Sequence, residues 1–395
     1  MGNVNCALRQ RARPSINAAE TSGRHDGVVG VVPSGQVSRY WHPVGWSASF
    51  GAGPAEVALL GARVVVWRDG GRAVAAIDRC PHRGTALSLG EVDEGGCIVC
   101  PYHGWRFDAT GGCLSVPQLA PGSAVPARAR LSMLNCAERH GLVWICLDDE
   151  PAGPVPDFPE YGDPGYRHVP CPAYRWRTSP ERMVENFTDF GHLGYLHDGL
   201  LGTRDDLVVP EHRVKQEGGA LHYSLTMQVP NTNKDFVVTD LATDSGTQTN
   251  RYVLTLPYTI HLQCTYEAKG THRTLFFSVQ PHGDGSCTGY CYQSRDFDLA
   301  GNDEDYARFQ EVLAEQDRPV VESQLPAELP LAPSAELHMP FDRVAVAYRR
   351  AMAALLAEPV KNVGFTAVAP SGPGSGTTAG TGAAGEKAVF EGANS

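Results

Sequence analysis

Short apolar runs separated by glycine, proline and Asp-Gly pairs dominate residues 37–150. Runs such as ARVVVW and GLVWICLD have the length and the β-branched content of strands. The stretch WRDGGRAVAAI places Asp69-Gly70-Gly71 between two such runs, which is a strong hairpin signal. This part of the chain is therefore predicted to be a small all-β domain.

From about residue 170 the pattern becomes mixed. Ser179, followed by Pro180 and Glu181, predicts the start of a helix that runs on into MVENFTDFGHLGYLH. Residues 207–296 then contain long runs rich in Tyr, Thr, Phe and Val, which are typical of an antiparallel sheet with one buried face. EDYARFQEVLAEQ and FDRVAVAYRRAMAALLAE have helical period and should pack on that sheet. The predicted fold class is α+β.

The two ends of the chain lack such patterns. Residues 1–36 are rich in Ala, Arg, Gly and Ser without a period, and we predict a disordered arm. Residues 361–395 contain the low-complexity run APSGPGSGTTAGTGAAG, which predicts a disordered tail. A Pro-rich segment that starts at Asp148 is a predicted linker between the all-β part and the mixed part.

Composition narrows the class of function. The formal net charge of −11 argues against a nucleic acid or an anionic membrane as partner, because both require a basic face. No stretch has the ~18 uninterrupted apolar residues of a membrane helix, and no apolar core of a signal peptide follows the N-terminus. The 11 cysteines are odd in number and scattered, unlike a disulfide framework. We expect a cytoplasmic protein.

Two similar Cys/His pairs lie within one short stretch: Cys80-Pro-His82 and Cys100-Pro-Tyr-His103. Three chemistries compete for them: a structural zinc, a redox dithiol and an iron–sulfur cluster with mixed ligands. Zinc fingers usually space their ligands Cys-x-x-Cys and His-x₃₋₅-His, which differs from the order seen here. Cys97 and Cys100 form a Cys-x-x-Cys, but Cys97 lies in a strand-like run and is predicted to be packed.

The stretches CPHRG and CPYHGWRFD resemble the signature of the Rieske non-haem iron oxygenases. The resemblance implies a Rieske [2Fe–2S] cluster, with Cys80 and Cys100 on one iron and His82 and His103 on the other. Residues expected to shape the two loops and donate hydrogen bonds near the cluster are Arg83, Gly84, Tyr102 and Trp105.

A second motif begins at the predicted helix. Asn186, Asp189 and His192 are three residues apart and would share one helix face. His192 and His197 are five apart, so in a regular helix they would point about 140° away from each other. For both to bind one metal, the helix must widen in a π-type turn or break between them, which the intervening glycines allow.

This stretch resembles the mononuclear iron motif of the same family, Asn-x-x-Asp-x-x-His-x₄-His. The resemblance implies His192 and His197 as ligands of Fe(II), with Asp317 as the third ligand in the run QDRPVVE. Two histidines and one carboxylate leave adjacent positions open for O₂. Gln316 replaces the Glu usual in the family, and Pro319 is expected to disrupt the helix there. Competing carboxylates, which we expect to form a solvated helix face, are Asp303, Asp305 and Glu315.

The resemblance also implies an assembly. It implies a Rieske domain over 37–150, followed by a helix-grip catalytic domain with the mononuclear iron over 151–360. Asn186 and Asp189 belong to the catalytic motif, and Asp189 would bridge a cluster histidine of one subunit to an iron-binding histidine of its neighbour in a head-to-tail homotrimer. The chain contains no G-x-G-x-x-G after a strand, so a separate reductase, with or without a ferredoxin, would supply electrons from NAD(P)H.

The predicted function is that of the oxygenase component of a Rieske monooxygenase or dioxygenase. It would use O₂ to hydroxylate or oxidatively demethylate a small apolar or aromatic molecule. The pocket is expected between the strands of 207–296 and residues near the helix motif such as Phe187, Tyr195 and Leu200. Two alternatives stay open, a Rieske electron-transfer protein and a zinc-stabilised binding protein, both without oxygen chemistry.

Overall fold

The computed structural model describes residues 35–229 and 246–358. The predicted tail at 361–395 lies outside the described residues, as does the predicted arm up to residue 34. The last residue of that predicted arm, Gln36, is buried at the start of a 3₁₀ helix, Gln36–Arg39. The 3₁₀ helix therefore includes the last residue of the range predicted as an arm.

The first part of the described chain consists of strands, as the apolar runs predict. Their bounds are β1 His42–Trp46, β2 Ala55–Leu59, β3 Ala62–Asp69, β4 Arg72–Ile77, β5 Glu91–Val92, β6 Ile98–Val99, β7 Arg106–Phe107, β8 Cys113–Ser115, β9 Met133–Arg139 and β10 Leu142–Cys146. A six-stranded sheet has the order β1-β10-β9-β4-β3-β2, and a four-stranded sheet has the order β5-β6-β7-β8. All pairings are antiparallel.

The predicted hairpin is confirmed. Asp69 pairs with Arg72, and the two glycines between them have φ of 55° and 88°. Positive φ at both central positions suits the right-handed twist of the flanking strands.

The second part contains eight strands and four helices. The strands are β11 Arg167–Pro170, β12 Tyr174–Trp176, β13 Arg213–Glu217, β14 Ala220–Val229, β15 Gly246–Thr255, β16 Thr259–Tyr266, β17 Thr271–Pro281 and β18 Cys287–Arg295. The helices are α1 Pro180–Thr188, α2 Leu193–Leu196, α3 Asp303–Val321 and α4 Arg343–Ala357. The strands form one sheet in the order β11-β18-β17-β16-β15-β14-β13, and β12 pairs with β18.

One face of this sheet is buried against the helices. The register aligns Tyr223, Tyr252, Leu262 and Leu275 across four neighbouring strands, and all four are buried in one apolar cluster with residues of α1, α3 and α4. Successive side chains of a strand point to opposite faces, so alternate residues of each strand form this core. A strand domain followed by a sheet with helices confirms the predicted α+β class.

The helix motif folds differently from its prediction. Helix α1 ends at Thr188, and Asp189 is extended, with φ −82° and ψ 135°. The Asp189 carboxylate accepts hydrogen bonds from the backbone N–H groups of Gly191 and His192. Such a local turn competes with helix formation, so Asn186, Asp189 and His192 do not share one helix face. The helix breaks, but at Asp189 and not between the two histidines as predicted, and the short helix α2, in place of a π-type turn, lies between His192 and His197.

The prediction for Pro319 is also wrong. Helix α3 continues through Pro319 and ends at Val321. Proline removes a single N–H donor, and here it does so within the last turn, where few helical bonds follow. Asp317 consequently lies on a continuous helix.

Candidate metal centres

Two loops of the first domain have the same backbone construction. Cys80 N–H donates to the carbonyl of Thr85, and its own carbonyl accepts from Gly84. Cys100 repeats both bonds with Trp105 and Gly104. Gly84 and Gly104 have φ of 74° and 69°, a region that L side chains rarely adopt. Each glycine therefore closes a tight loop that begins with a cysteine.

The histidines of the two loops meet at their tips. His82 Nδ1 and His103 Nδ1 are 3.2 Å apart. Trp105 stacks on His82 with a centroid separation of 4.6 Å and an interplanar angle of 6°, which fixes the plane of the imidazole. Tyr102 packs on His103 and is itself 64% exposed. The two imidazoles are thus held together at the surface, beside an exposed aromatic ring.

The thiols lie beneath the imidazoles. Cys80 and Cys100 are both buried in an apolar cluster with Leu87, Ile98 and Phe107. Burial raises the pKa of the Cys80 thiol to about 11. Two buried thiols beside two converging Nδ1 atoms form a donor set that fits a cluster with mixed ligands.

A second group of metal-binding side chains lies in the other domain. His192, His197 and Asp317 each offer one ligand atom, and these atoms lie within 4.8 Å of one another. Asp317 Oδ1 is 3.1 Å from His197 Nε2 and 3.6 Å from His192 Nε2. The same oxygen is buried and makes no hydrogen bond within the described residues. An orphaned carboxylate oxygen that faces two imidazole nitrogens fits a cation bound between them.

The far nitrogen of each imidazole is fixed by a partner. His192 Nδ1 donates to Asp189 Oδ2 at 2.7 Å, and His197 Nδ1 donates to Gln316 Oε1 at 2.7 Å. Both hydrogen bonds select the tautomer whose Nε2 lone pair is free for a metal. Gln316, noted in the sequence only as a replacement, therefore orients His197.

The partners of the two histidines differ in charge. Burial opposes ionisation of Asp189, but the hydrogen bond and charge of His192, together with the backbone N–H groups of Gly191 and His192, outweigh it and hold the pKa of Asp189 below its ordinary value. Burial also disfavours the charged form of His197, yet the contact with Asp317 raises the pKa of His197. The Nδ1 atom of His192 is thus hydrogen-bonded to a carboxylate, whereas the Nδ1 atom of His197 is hydrogen-bonded to a neutral amide.

The competing carboxylates have other partners. Asp303 binds Arg167 at 2.6 Å, and Glu315 binds Arg318 at 2.5 Å. Asp305 accepts from Asn302 at the start of α3. Asp305 and Glu315 are exposed, as expected of a solvated face, whereas Asp303 is half-buried and also pairs with the buried Arg295.

A small cavity adjoins Asp317. Its lining residues are Tyr174, Trp176, Met183, Asn186, Phe187, Phe277, Gln310, Ala314 and Asp317. Phe187 lines this cavity as expected and stacks on Phe277 at 4.4 Å. Tyr195, which was also expected there, is 62% exposed under the guanidinium of Arg204.

The sequence reasoning missed the pocket residues Gln310 and Ala314 although a signal for both existed. Gln310 and Ala314 precede Asp317 by seven and three residues on α3, so helical periodicity places all three on one face. Trp176 lies on the short strand β12 and carries no comparable signal.

Two known protein families match this chain, one in each of its two parts. Residues 40–136 match the Rieske [2Fe–2S] domain, and residues 176–358 match the C-terminal domain of vanillate O-demethylase oxygenase. The methylxanthine N1-demethylase NdmA of Pseudomonas putida is 32% identical over 320 residues, which cover 79% of this chain and 87% of the relative. The chain belongs to the Rieske non-haem iron oxygenases. It therefore belongs to enzymes that combine a [2Fe–2S] cluster, a mononuclear iron and O₂.

Solved structures agree with this oxygenase over most of its length. NdmA of P. putida with caffeine has a TM-score of 0.71 at 30% identity, covering 80% of this chain and 90% of that one. NdmB from the same organism has a TM-score of 0.71 at 29% identity and covers 81% and 93%. Dicamba monooxygenase, at 23% identity and a TM-score of 0.68, shares the fold.

Proposed function

We propose that this oxygenase uses O₂ and externally supplied electrons to hydroxylate or oxidatively demethylate a small apolar or aromatic molecule. The observation that carries the proposal is the convergence of His192 Nε2 and His197 Nε2 on the orphaned oxygen of Asp317, beside a largely apolar cavity. This arrangement supports the proposal, because a metal bound there would keep an open position beside the cavity.

The proposed ligands follow from the two donor sets. Cys80, Cys100, His82 and His103 would hold the [2Fe–2S] cluster, and His192, His197 and Asp317 would hold the mononuclear iron. When bound, the cluster supplies single electrons and the mononuclear iron activates O₂. The protein orients the proposed iron ligands, because Asp189 and Gln316 fix the tautomers of His192 and His197.

The cavity supports the proposed class of substrate. Its aromatic walls, among them Trp176, Phe187 and Phe277, suit a flat apolar body and exclude water from the reacting carbon. The side-chain amides of Asn186 and Gln310 provide polar contacts that can orient such a molecule. NdmA and NdmB are named as methylxanthine demethylases, and oxidation of a related planar molecule is consistent with this lining.

Electrons would come from NAD(P)H through a separate reductase, with or without a ferredoxin. The exposed cluster face supports this, because Tyr102 is 64% exposed and Leu89 is 73% exposed beside the two loops. Relatives include a protein named as the iron–sulfur subunit of a toluene-4-sulfonate monooxygenase system in Comamonas testosteroni. Such a name describes one component of a larger system.

We also propose a head-to-tail homotrimer in which Asp189 connects neighbouring subunits. Asp189 holds His192 and its side chain remains about one-third exposed, so a cluster histidine of another subunit can reach it.

A cytoplasmic location is supported by the free state of all cysteines in the described ranges 35–229 and 246–358. In the same ranges no helix is long and apolar enough to span a membrane.

The decisive experiment combines iron analysis with product analysis. Enzyme purified without air should contain about three irons per chain, two of them in a cluster with a paramagnetic signal after reduction. Reaction with a reductase, NADH, ¹⁸O₂ and a panel of planar heteroaromatic and methoxy-aromatic compounds should yield a product. Hydroxylation transfers ¹⁸O into the product, and demethylation into the released formaldehyde.

Two other outcomes would overturn the proposal. About two irons per chain without oxygen uptake would indicate an electron-transfer protein. A colourless protein with zinc would indicate a binding protein. Asp317→Ala is the matched variant, because it should lose the third iron while the cluster signal stays.

A further inference from the structure

A polar row crosses the inner face of the eight-stranded sheet. The register aligns five side chains across neighbouring strands, namely Leu225, Asn250, Cys264, Arg273 and Arg295. Arg273 lies two residues before Leu275 and four before Phe277 on β17, so all three point to the same face. Leu275 belongs to the core and Phe277 lines the cavity. Arg273 therefore points to the interior between the sheet and the helices.

Arg273 has no carboxylate partner in the described ranges. Its Nε is buried without a hydrogen bond, and its guanidinium carbon lies 5.8 Å from the centre of the Phe309 ring. The ionisable groups nearest to it are neutral, because burial raises the pKa of Cys264, Tyr266 and Tyr306. A guanidinium among neutral groups carries an uncompensated charge, which is costly away from water.

A second guanidinium lies directly opposite. Arg295 pairs with Arg273 in the register, is 1% exposed and stacks on Tyr306 at 3.6 Å. Its carboxylate partner, Asp303 at 3.4 Å, is shared with Arg167. Arg295 Nη1 is buried without a partner. Like charges directly opposite on a sheet repel each other, so an anion between the two arginines would be favoured.

The same row offers a further donor. Asn250 is buried, and within residues 35–229 and 246–358 its amide nitrogen donates only to the thioether of Met227, at 3.4 Å. Thioether sulfur is a weak acceptor. The row thus holds three donor groups that lack a strong acceptor.

One hydrogen bond connects strand β18 of this row with the wall of the cavity beside Asp317. Gln310 lines that cavity and accepts a hydrogen bond from Gln293, which lies two residues before Arg295 on β18. Gln310 and Asp317 are separated by seven residues of α3, about 10 Å along the helix axis. A molecule with one or two rings spans this distance.

We propose that Arg273, with Arg295 and Asn250, binds a carboxylate on the substrate, whose opposite end lies at the iron site. Guanidinium groups bind carboxylates through paired, charge-assisted hydrogen bonds. This inference rests on the proposed oxygenase function and narrows its substrates to aromatic acids.

The test compares matched acids and amides on the iron-loaded enzyme. Calorimetric titration with 6-methoxy-2-naphthoate and 6-methoxy-2-naphthamide should show at least about tenfold tighter binding of the acid. In Arg273→Met the ratio should fall to about one, and Arg273→Lys should retain part of the preference. Arg251→Met is the matched control, because Arg251 is exposed on the other face of the same sheet and the ratio should stay unchanged.

A second readout needs no ligand. Arg273→Met should unfold at the same temperature as the wild type or higher, because it removes an uncompensated charge. An Arg273 that serves the fold would instead lower the unfolding temperature. An equal or absent response to acid and amide, or a destabilised Arg273→Met, overturns the inference. Iron content and the signal of the reduced cluster are measured on the same samples, and their loss in the wild type would overturn the proposed function instead.

Discussion

At the scale of single residues, the asymmetry between the two histidines of the proposed iron site is the most informative feature. His192 donates to a carboxylate and His197 donates to an amide. A carboxylate partner makes an imidazole a stronger electron donor than an amide does, whereas both fix its tautomer. The role of Gln316 is therefore to orient His197 without adding negative charge to the site.

Removal of the Gln316 acceptor should weaken binding of the mononuclear iron. Gln316→Leu leaves Nδ1 of His197 without its partner, and loss of such a partner typically costs about 10- to 100-fold in metal affinity. Competition of the enzyme with a chromogenic Fe(II) chelator measures this affinity, and the visible spectrum of the cluster should not change. Glu315→Gln is the control, because Glu315 is exposed on the same helix and pairs with Arg318. Equal iron affinity in Gln316→Leu and the wild type would contradict the assigned role.

The sequence predicted the identity of these residues better than their geometry. His192, His197 and Asp317 were predicted as one group and lie within reach of one ion. The path of the backbone between them was not predicted, because a side chain decides it. The Asp189 carboxylate takes the N–H groups that a continuing helix would use, and helical periodicity does not register this competition.

At the scale of elements, the two cysteine loops depend on backbone conformation more than on packing. Gly104 has φ of 69°, and a Cβ at this position would meet only Pro117, at an ordinary 3.4 Å. The cost of a side chain at Gly104 therefore comes from the dihedral angle, about 1–2 kcal/mol for a non-glycine residue.

Gly104→Ala should accordingly make the cluster labile. The strain is relieved if the loop opens, and His103 then moves away from His82. We expect the visible absorbance of the cluster to decay at least about threefold faster at a fixed temperature. Gly53→Ala tests the same substitution without strain, because its Cβ meets nothing within 4 Å and its φ is not positive. Equal decay of the two variants would mean that the loop tolerates the side chain.

An ionic network connects the helices of the second domain. Arg349 binds Glu185 of α1 and Glu336, and Arg182 of α1 binds Glu336 at 2.7 Å. Both arginines are buried. Because α1 leads directly into Asp189 and His192, this network holds the start of the iron site against α4.

Glu336 of this network makes the free energy of unfolding depend on pH in the acid range. The hydrogen bond from Arg182 is the largest cause that lowers the pKa of Glu336 from 4.5 to about 2. A depressed pKa contributes stability that is complete above pH 4.5 and is lost as the pH falls towards 2. Glu336→Gln should therefore be less stable than the wild type at pH 6, by about 1 kcal/mol after allowance for solvent screening. Urea unfolding from pH 6 to pH 3 should show this difference shrinking, whereas a constant difference would exclude the linkage.

At the scale of the whole molecule, the two centres raise the question of which chain supplies the electrons. The cluster histidines lie at the tips of surface loops, and Asp189 leaves about one-third of its side chain exposed. Both features suit a contact between subunits. If electrons pass between the subunits of the proposed head-to-tail trimer, an oligomer that combines two defective variants should be active.

Two defective chains should restore activity to each other only if electrons cross between subunits. His82→Ala should lose the cluster and keep the iron site, and Asp317→Ala should lose the iron site and keep the cluster. In a cyclic trimer that contains both variants, one of the three junctions joins an intact cluster to an intact iron site. Doubly tagged trimers from co-expression should therefore show about one third of the wild-type rate of substrate-dependent O₂ uptake. Separately purified variants mixed in one tube serve as the control and should show none. Electron transfer within a single chain would leave the mixed trimers inactive, because no chain then holds both centres.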